Sequence, residues 1–159
     1  MSSAFIALDW GTSSFRAYLL NRDGTVQETF TAPDGILAVK DGNFDAVLEG
    51  HIGKWDMKLP IMASGMITSR QGWVELPYVA CPAGLRSIAA AVHLHTSKLG
   101  RKIYFVPGIS TRGRDGAPDV IRGEETQVFG ATEGGSEHFV TPGTHSKWAT
   151  AQPRGILRF

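Results

Sequence analysis

Apolar residues along this chain fall into short runs separated by turns rich in Gly, Asp and Thr. Phe5–Leu8 is a four-residue apolar run ending at Asp9-Trp10-Gly11, the signature of a buried strand entering a turn. Phe15–Leu20 reads as a second strand. Asn21-Arg22-Asp23-Gly24 reads as a hairpin turn, because Asn and Asp-Gly accept positive φ at little cost. Thr25–Thr31, rich in β-branched residues, completes a three-stranded antiparallel meander.

Beyond Pro33-Asp34-Gly35 the period changes. Phe44, Val47, Leu48 and Ile52 fall at helical spacing and predict a helix over Asn43–Trp55. Leu59–Ala63 reads as a strand, Ser64–Ala83 as a long irregular segment, and Ala-rich Leu85–Leu99 as a helix. On such a helix His93 and His95 point to different sides and make a poor metal pair. Ile103–Val106 reads as a strand, Gly113–Pro118 as a turn, and Glu124–Thr132 as a helix ended by Gly134-Gly135. His138–Val140 reads as a strand, and Trp148–Ala151 with Ile156–Phe159 as a hairpin. The alternation is that of a mixed α/β protein. Trp55 and Met57 read as core. A hairpin at the end of the chain leaves an unpaired edge, so the expectation is a fragment, or a surface completed by something else.

Composition narrows the function classes. The 159 residues suit one domain, or one and part of a second. Net charge is +1 and no basic run exceeds two residues, which argues against a nucleic-acid partner. Cys81 is the sole cysteine, so no internal disulfide forms and a reducing, cytoplasmic setting is expected. No secretory leader and no membrane-length apolar run are read. The 19 glycines point to many tight turns where backbone can approach a ligand.

Two turns carry candidate chemistry. Asp9-Trp10-Gly11-Thr12-Ser13-Ser14, with Arg16 beyond it, offers amides and hydroxyls to a phosphate and an acid that holds Mg²⁺ through water. The alternative is an ordinary turn capped by Asp9. Gly143-Thr144-His145-Ser146-Lys147 repeats the arrangement with a lysine to neutralise phosphate charge; the alternative is a hairpin with an exposed lysine. Between them, Ser69, Arg70 and Gln71 lie near Trp73 and Tyr78, a set suited to a polyhydroxylated anion, with Arg122 or Arg112 as further candidates for its carboxylate. The aromatics serve equally well as core.

Leu8 to Arg16 resembles the first phosphate-binding hairpin of the actin/hexokinase/Hsp70 ATPases. The stretches Ser64 to Trp73, Glu75, Pro77-Tyr78, Cys81-Pro82-Ala83, Val106-Pro107-Gly108, Arg122 to Gln127 and Pro142 to Trp148 are similar, in order, to the N-terminal half of the 2-dehydro-3-deoxygalactonokinases. That resemblance implies a ribonuclease-H-like α/β domain with a mixed sheet over residues 1–135. Residues 136–159 would begin a second, incomplete domain. It implies transfer of the ATP γ-phosphate to the 6-hydroxyl of 2-dehydro-3-deoxygalactonate, a small sugar acid. Charge balance and short apolar runs argue against nucleic acid and membrane as partners, and the incomplete edge makes a homodimer an option. Asp9 would position Mg²⁺; Gly11, Thr12, Ser13 and Arg16 would surround the phosphate from one side and Gly143, Thr144 and Lys147 from the other. Ser69, Arg70, Gln71, Trp73, Tyr78 and Arg122 would hold the acceptor. Glu124 and Glu125 are the candidate bases, although acids in a first helical turn also complement the helix dipole. The family is about twice as long, its second half forming most of the adenosine site. A binding remnant without catalysis, or a phosphatase-type hydrolase of the same superfamily, are the rival readings.

Overall fold

The structure, a computed structural model, describes residues 3–113, 116–133, 135–142, 146–153 and 155–159. The predicted meander is present as β1 (Ser3–Trp10), β2 (Phe15–Asn21) and β3 (Val26–Ala32), antiparallel throughout. Its second turn is locked by the Asp23 carboxylate, which accepts from the Thr25 amide (3.0 Å) and hydroxyl (2.6 Å), and these bonds lower its pKa. Three further strands join them: β4 (Ile61–Ser64), β6 (His93–Thr96) and β7 (Lys102–Phe105). The six-stranded sheet runs β3-β2-β1-β4-β7-β6, with β1, β4 and β7 mutually parallel.

Period-two alternation sets the buried face. Ile6, Leu8 and Trp10, then Phe15, Ala17 and Leu19, then Ile61 and Ala63, then Ile103 and Phe105 all enter one core. Helix α1 (Phe44–Ile52) closes it with Phe44, Leu48 and Ile52, four residues apart on one face. α1 ends three residues before the predicted Trp55. Its end is held by Arg101, whose fully buried guanidinium donates to the carbonyls of Ile52 (3.3 Å), Trp55 (3.0 Å) and Asp56 (3.2 Å) and pairs with Glu49 at 2.7 Å. Trp55 is buried as expected, whereas Met57 is 36% exposed and lies outside the core.

The helix expected over Leu85–Leu99 is shorter. α2 covers Leu85–Ala90, and the chain then becomes strand β6, paired in register with β7 from His93↔Phe105 to Thr96↔Lys102. The Ser97–Arg101 turn, with Gly100 at φ +94°, makes that hairpin. Cross-strand pairing outweighs the local alanine propensity. His93 and His95 therefore share one side of a strand rather than diverging from a helix. His95 packs its ring 5.2 Å from Trp73 and 5.9 Å from Phe105.

The segment read as irregular contains a 3₁₀ turn (Met66–Thr68) and strand β5 (Val79–Ala80). β5 pairs with β8 (Ile109–Arg112), and β8 with β9 (Pro118–Ile121), around the predicted 113–118 turn. Helix α3 (Glu124–Ala131) follows. The last sheet comprises β10 (Glu137–Thr141), β11 (Lys147–Gln152) and β12 (Gly155–Arg158). A second core joins Ala83, Ile88, Ile109, Ile121 and Val128 to Ala149, Ala151 and Ile156. Reciprocal 2.9 Å backbone bonds between Ala83 and Ile156 fasten β12 to the Cys81–Ala83 segment. Among the described residues no helix is long and apolar enough to cross a membrane.

Candidate functional site

β1 and β2 place Asp9 opposite Arg16 in their antiparallel register, and Arg16 Nη1 donates to Asp9 Oδ2 at 2.9 Å. On the other side Asp9 neighbours Ser64 of the parallel strand β4. Asp9, Arg16, Tyr18 and Ser64 line a cleft of about 440 Å³ whose opposite wall is the start of α3, with Gly123 and Thr126. The turn carrying Gly11, Thr12 and Ser13 stands beside this cleft rather than in its lining. It is closed by Gly11 N–H to Ser14 C=O (2.9 Å).

That turn is braced from behind. Ile36 N–H donates to Gly11 C=O at 2.9 Å, Leu37 N–H to Thr12 C=O at 3.3 Å, and Trp10 Nε1 to Asp34 C=O at 2.9 Å. A Cβ on Gly35 would lie 2.2 Å from Thr12 O and 2.3 Å from Ser13 N. Gly35 is thus part of the site's frame, although in the sequence it reads only as a break. Thr12 and Ser13 are exposed, and among the described residues nothing accepts from their amides. Amides that donate to no protein acceptor, on a braced turn, suit phosphate oxygens. Among the described residues no three His, Cys, Asp or Glu gather as a metal cage. A cation at Asp9 would complete its shell with water and phosphate oxygens, which suits Mg²⁺.

A second, larger cavity of about 660 Å³ is lined by Ser69, Arg70, Gln71, Tyr78 and Arg122, five of the six residues predicted for an acceptor, together with Glu75. Arg122 enters it from the end of β9. Its Nη1 donates to the hydroxyl (2.7 Å) and carbonyl of Thr68, its Nη2 to Leu76 C=O (3.1 Å), and the Tyr78 ring lies 4.2 Å from Cζ. Trp73 is the sixth, and it points elsewhere. It stacks on Phe44 (5.7 Å, 13°) and meets Trp10 and Phe105 edge-on, half-buried against the first core. Arg112 lines neither cavity and donates to Gly116 C=O at 3.0 Å.

The two cavities flank the same stretch of backbone. Ser64 lines one and Met66 the other; Gly123 lines one and Arg122 the other. Between them Gly65 (φ +96°) and Gly123 (φ +114°) are packed so closely that a Cβ on Gly123 would sit 3.2 Å from the Gly65 Cα.

The adjacent acids at the start of α3 differ. Glu124 Oε2 accepts from the Arg122 amide at 2.9 Å. Glu125 is 1% exposed, and its Oε2 accepts from the Gly123 amide at 2.7 Å. Burial pushes its carboxyl up to about 7, against the opposing pull of these backbone bonds. Lys147 pairs with Asp119 of β9, lies 5.9 Å from the Phe159 ring centre, and lines neither cavity. Gly143 and Thr144 lie outside the described residues.

A family model described as 2-keto-3-deoxy-galactonokinase matches residues 9–159. The chain belongs to this family. Among its relatives, a Rhizobium meliloti (strain 1021) protein assigned as 2-dehydro-3-deoxygalactonokinase DgoK1 is 40% identical over 149 residues, covering 91% of this chain and 48% of its own length. The 2-dehydro-3-deoxygalactonokinase of Escherichia coli (strain K12) is 34% identical over 161 residues, covering 100% of this chain and 53% of the relative. A crystal structure assigned to a 2-dehydro-3-deoxygalactonokinase of Sinorhizobium meliloti superposes with a TM-score of 0.85 at 37% identity, covering 96% of this chain and 52% of that one. The chain therefore spans about half the length of the family members it matches.

Proposed function

We propose that this chain is the acceptor-binding part of a sugar-acid kinase that transfers the ATP γ-phosphate to the 6-hydroxyl of 2-dehydro-3-deoxygalactonate. The observation that carries the reading is a pair of cavities flanking the Gly65–Gly123 contact, one walled by the Asp9 strand end and the other by Ser69, Arg70, Gln71, Tyr78 and Arg122. A phosphate donor and an alcohol acceptor must meet end to end, and such a pair of compartments allows it.

In this reading the open amides of Thr12 and Ser13, with Gly11 and Arg16, receive the phosphate. Asp9 holds Mg²⁺ through water, and the ion neutralises phosphate charge when bound. The acceptor oxygen forms the new P–O bond, the bond to ADP breaks, and the hydroxyl proton passes to a base. Burial keeps the proton affinity of Glu125 near neutrality, which favours it as the base, while both acids accept from a backbone amide, Glu124 from Arg122 and Glu125 from Gly123, and neither lines the two cavities. Gly143, Thr144 and Lys147 would approach the phosphates from residues 136–159, which we take as the beginning of the second domain after 1–135. The strand order β3-β2-β1-β4-β7, three antiparallel strands followed by two parallel ones, supports a ribonuclease-H-like domain. A cytoplasmic enzyme acting on a small sugar acid agrees with this scheme, and pairing of two copies is an option within it.

One observation favours a second reading, a chain that binds acceptor without turnover: Lys147 is engaged with Asp119 and lines neither cavity. ADP release from MgATP, with and without 2-dehydro-3-deoxygalactonate, decides between them. Acceptor-dependent release supports the kinase reading for this chain. Acceptor binding without release supports the second, and no binding at all overturns both.

A further inference from the structure

Two polar atoms in the wall of the larger cavity have no hydrogen-bond partner: Ser69 Oγ and Arg122 Nε. Their residues are each 8% exposed. Buried polar groups are nearly always satisfied, and leaving one unpaired is costly. Five such side-chain atoms occur among the described residues, and these two share one cavity wall. Elsewhere in the fold the same chemistry is resolved: the guanidinium of Arg101 pairs with Glu49 and three carbonyls.

The charge at Arg122 is also unresolved. Its Nη atoms meet only neutral acceptors, Thr68 and Leu76, and no carboxylate lies within ion-pair distance among the described residues. One face is covered by the ring of Tyr78, itself 40% exposed and so a displaceable cover. Arg70 adds a second, exposed cation to the same lining, set against one acid, Glu75. A buried guanidinium needs an anion nearby, and a planar carboxylate matches its geometry.

We propose that Ser69 and Arg122 form the seat for the carboxylate of the acceptor, with Arg70 supplying charge at the mouth. The proposal rests on the sugar-acid kinase reading and adds an orientation to it. The carboxylate end lies at Ser69 and Arg122, the reacting hydroxyl end lies toward Gly65 and Gly123, and Glu75 is left to accept from hydroxyls. Ser69 reaches the carboxylate by rotation about χ1, which breaks no hydrogen bond.

The test is a binding measurement on the chain itself, with D-galactonate and galactitol, two polyols that differ in the carboxylate. ¹⁵N-detected spectra follow the Arg122 Nε–H signal, and Ser69→Ala is titrated alongside, since Arg122 variants risk unfolding. Galactonate is expected to shift the Nε–H resonance and galactitol to leave it in place. Ser69→Ala is expected to weaken galactonate by ~10-fold, the equivalent of one hydrogen bond to a charged group. The same variant should melt at a higher temperature, because it removes a buried hydroxyl with no partner. Equal binding of the two polyols, or unchanged galactonate affinity in Ser69→Ala, overturns the carboxylate seat while leaving a sugar site in this cavity. Failure of both polyols to perturb any residue of the cavity overturns the seat and the acceptor reading together.

Discussion

Gly65 and Gly123 pack backbone to backbone between the two cavities. A Cβ on Gly123 would stand 3.2 Å from the Gly65 Cα, and one on Gly65 would stand 2.9 Å from Trp10 O and 3.2 Å from Asp9 Oδ1. The contact joins the end of β4 to the start of α3 and holds Asp9 and Glu125 on elements that cannot move independently of it. Both residues also have positive φ, so neither position accepts a side chain without strain.

Gly123→Ala should therefore cost about 1–3 kcal/mol, from strain at positive φ and displacement of Gly65. Gly130→Ala is the matched control. It lies on the exposed side of α3 with nothing within 4 Å of its Cβ, and should stabilise the protein by about 0.5–1 kcal/mol. Urea midpoints at constant m-value measure both. A neutral Gly123→Ala would show that the joint yields.

Asp9→Asn separates function from stability. The Asp9–Arg16 pair is 30% and 46% exposed, so its loss should change stability by less than ~1 kcal/mol. Wherever the completed enzyme turns over, the same change should lower acceptor-dependent ADP release by ~10²-fold or more, as for loss of a charge-positioning group. Near-normal release would remove Asp9 from the metal-positioning role.

Glu125 imposes a pH dependence with a definite sign. Burial pushes its carboxyl up to about 7 in the fold, against 4.5 for an ordinary glutamate, so the native state holds an extra proton between these values. Its contribution is present below pH 4.5 and is lost as pH rises through 7. The loss is at most about 3 kcal/mol. Glu125→Gln, neutral at all pH, should flatten the stability profile over that interval and gain on the parent at pH ~8. Parallel profiles for the two proteins would mean that Glu125 is ionised in the fold at neutral pH.

Arg101→Leu should cost about 3–5 kcal/mol, since it leaves Glu49 without its cation and three carbonyls without a donor. Arg101→Lys should recover only part of this, because one ammonium cannot reproduce the planar fork. Chemical denaturation of the two variants ranks them; equal losses would mean that charge alone matters.

Elements with strong local signals could be read from the chain alone. The meander followed from alternation plus Asp23-Gly24, and α1 from Phe44, Leu48 and Ile52. Four residues of the larger cavity, Ser69, Arg70, Gln71 and Tyr78, stood out as unusual neighbours in one irregular segment, and Arg122 was singled out separately. Trp73 was ambiguous, since an aromatic beside that cluster serves a sugar wall or a core equally well. Its position against Phe44 and Trp10 depends on residues far away in sequence. Strand β6 was hidden inside an alanine-rich stretch, and Gly35 and Arg101 gave no local sign of their partners.

The sequence by itself determined the α/β alternation, the tight Gly-Thr-Ser turn after Asp9 and the family to which the chain belongs, because these rest on local period, turn chemistry and ordered motifs. Tertiary structure alone decided that Glu124 and Glu125 differ in burial, that Arg122 is a buried cation with no acid at ion-pair distance among the described residues, and that two glycines 58 residues apart pack between the cavities. Burial and partnership are properties of neighbours brought together by folding, so no spacing along the chain encodes them.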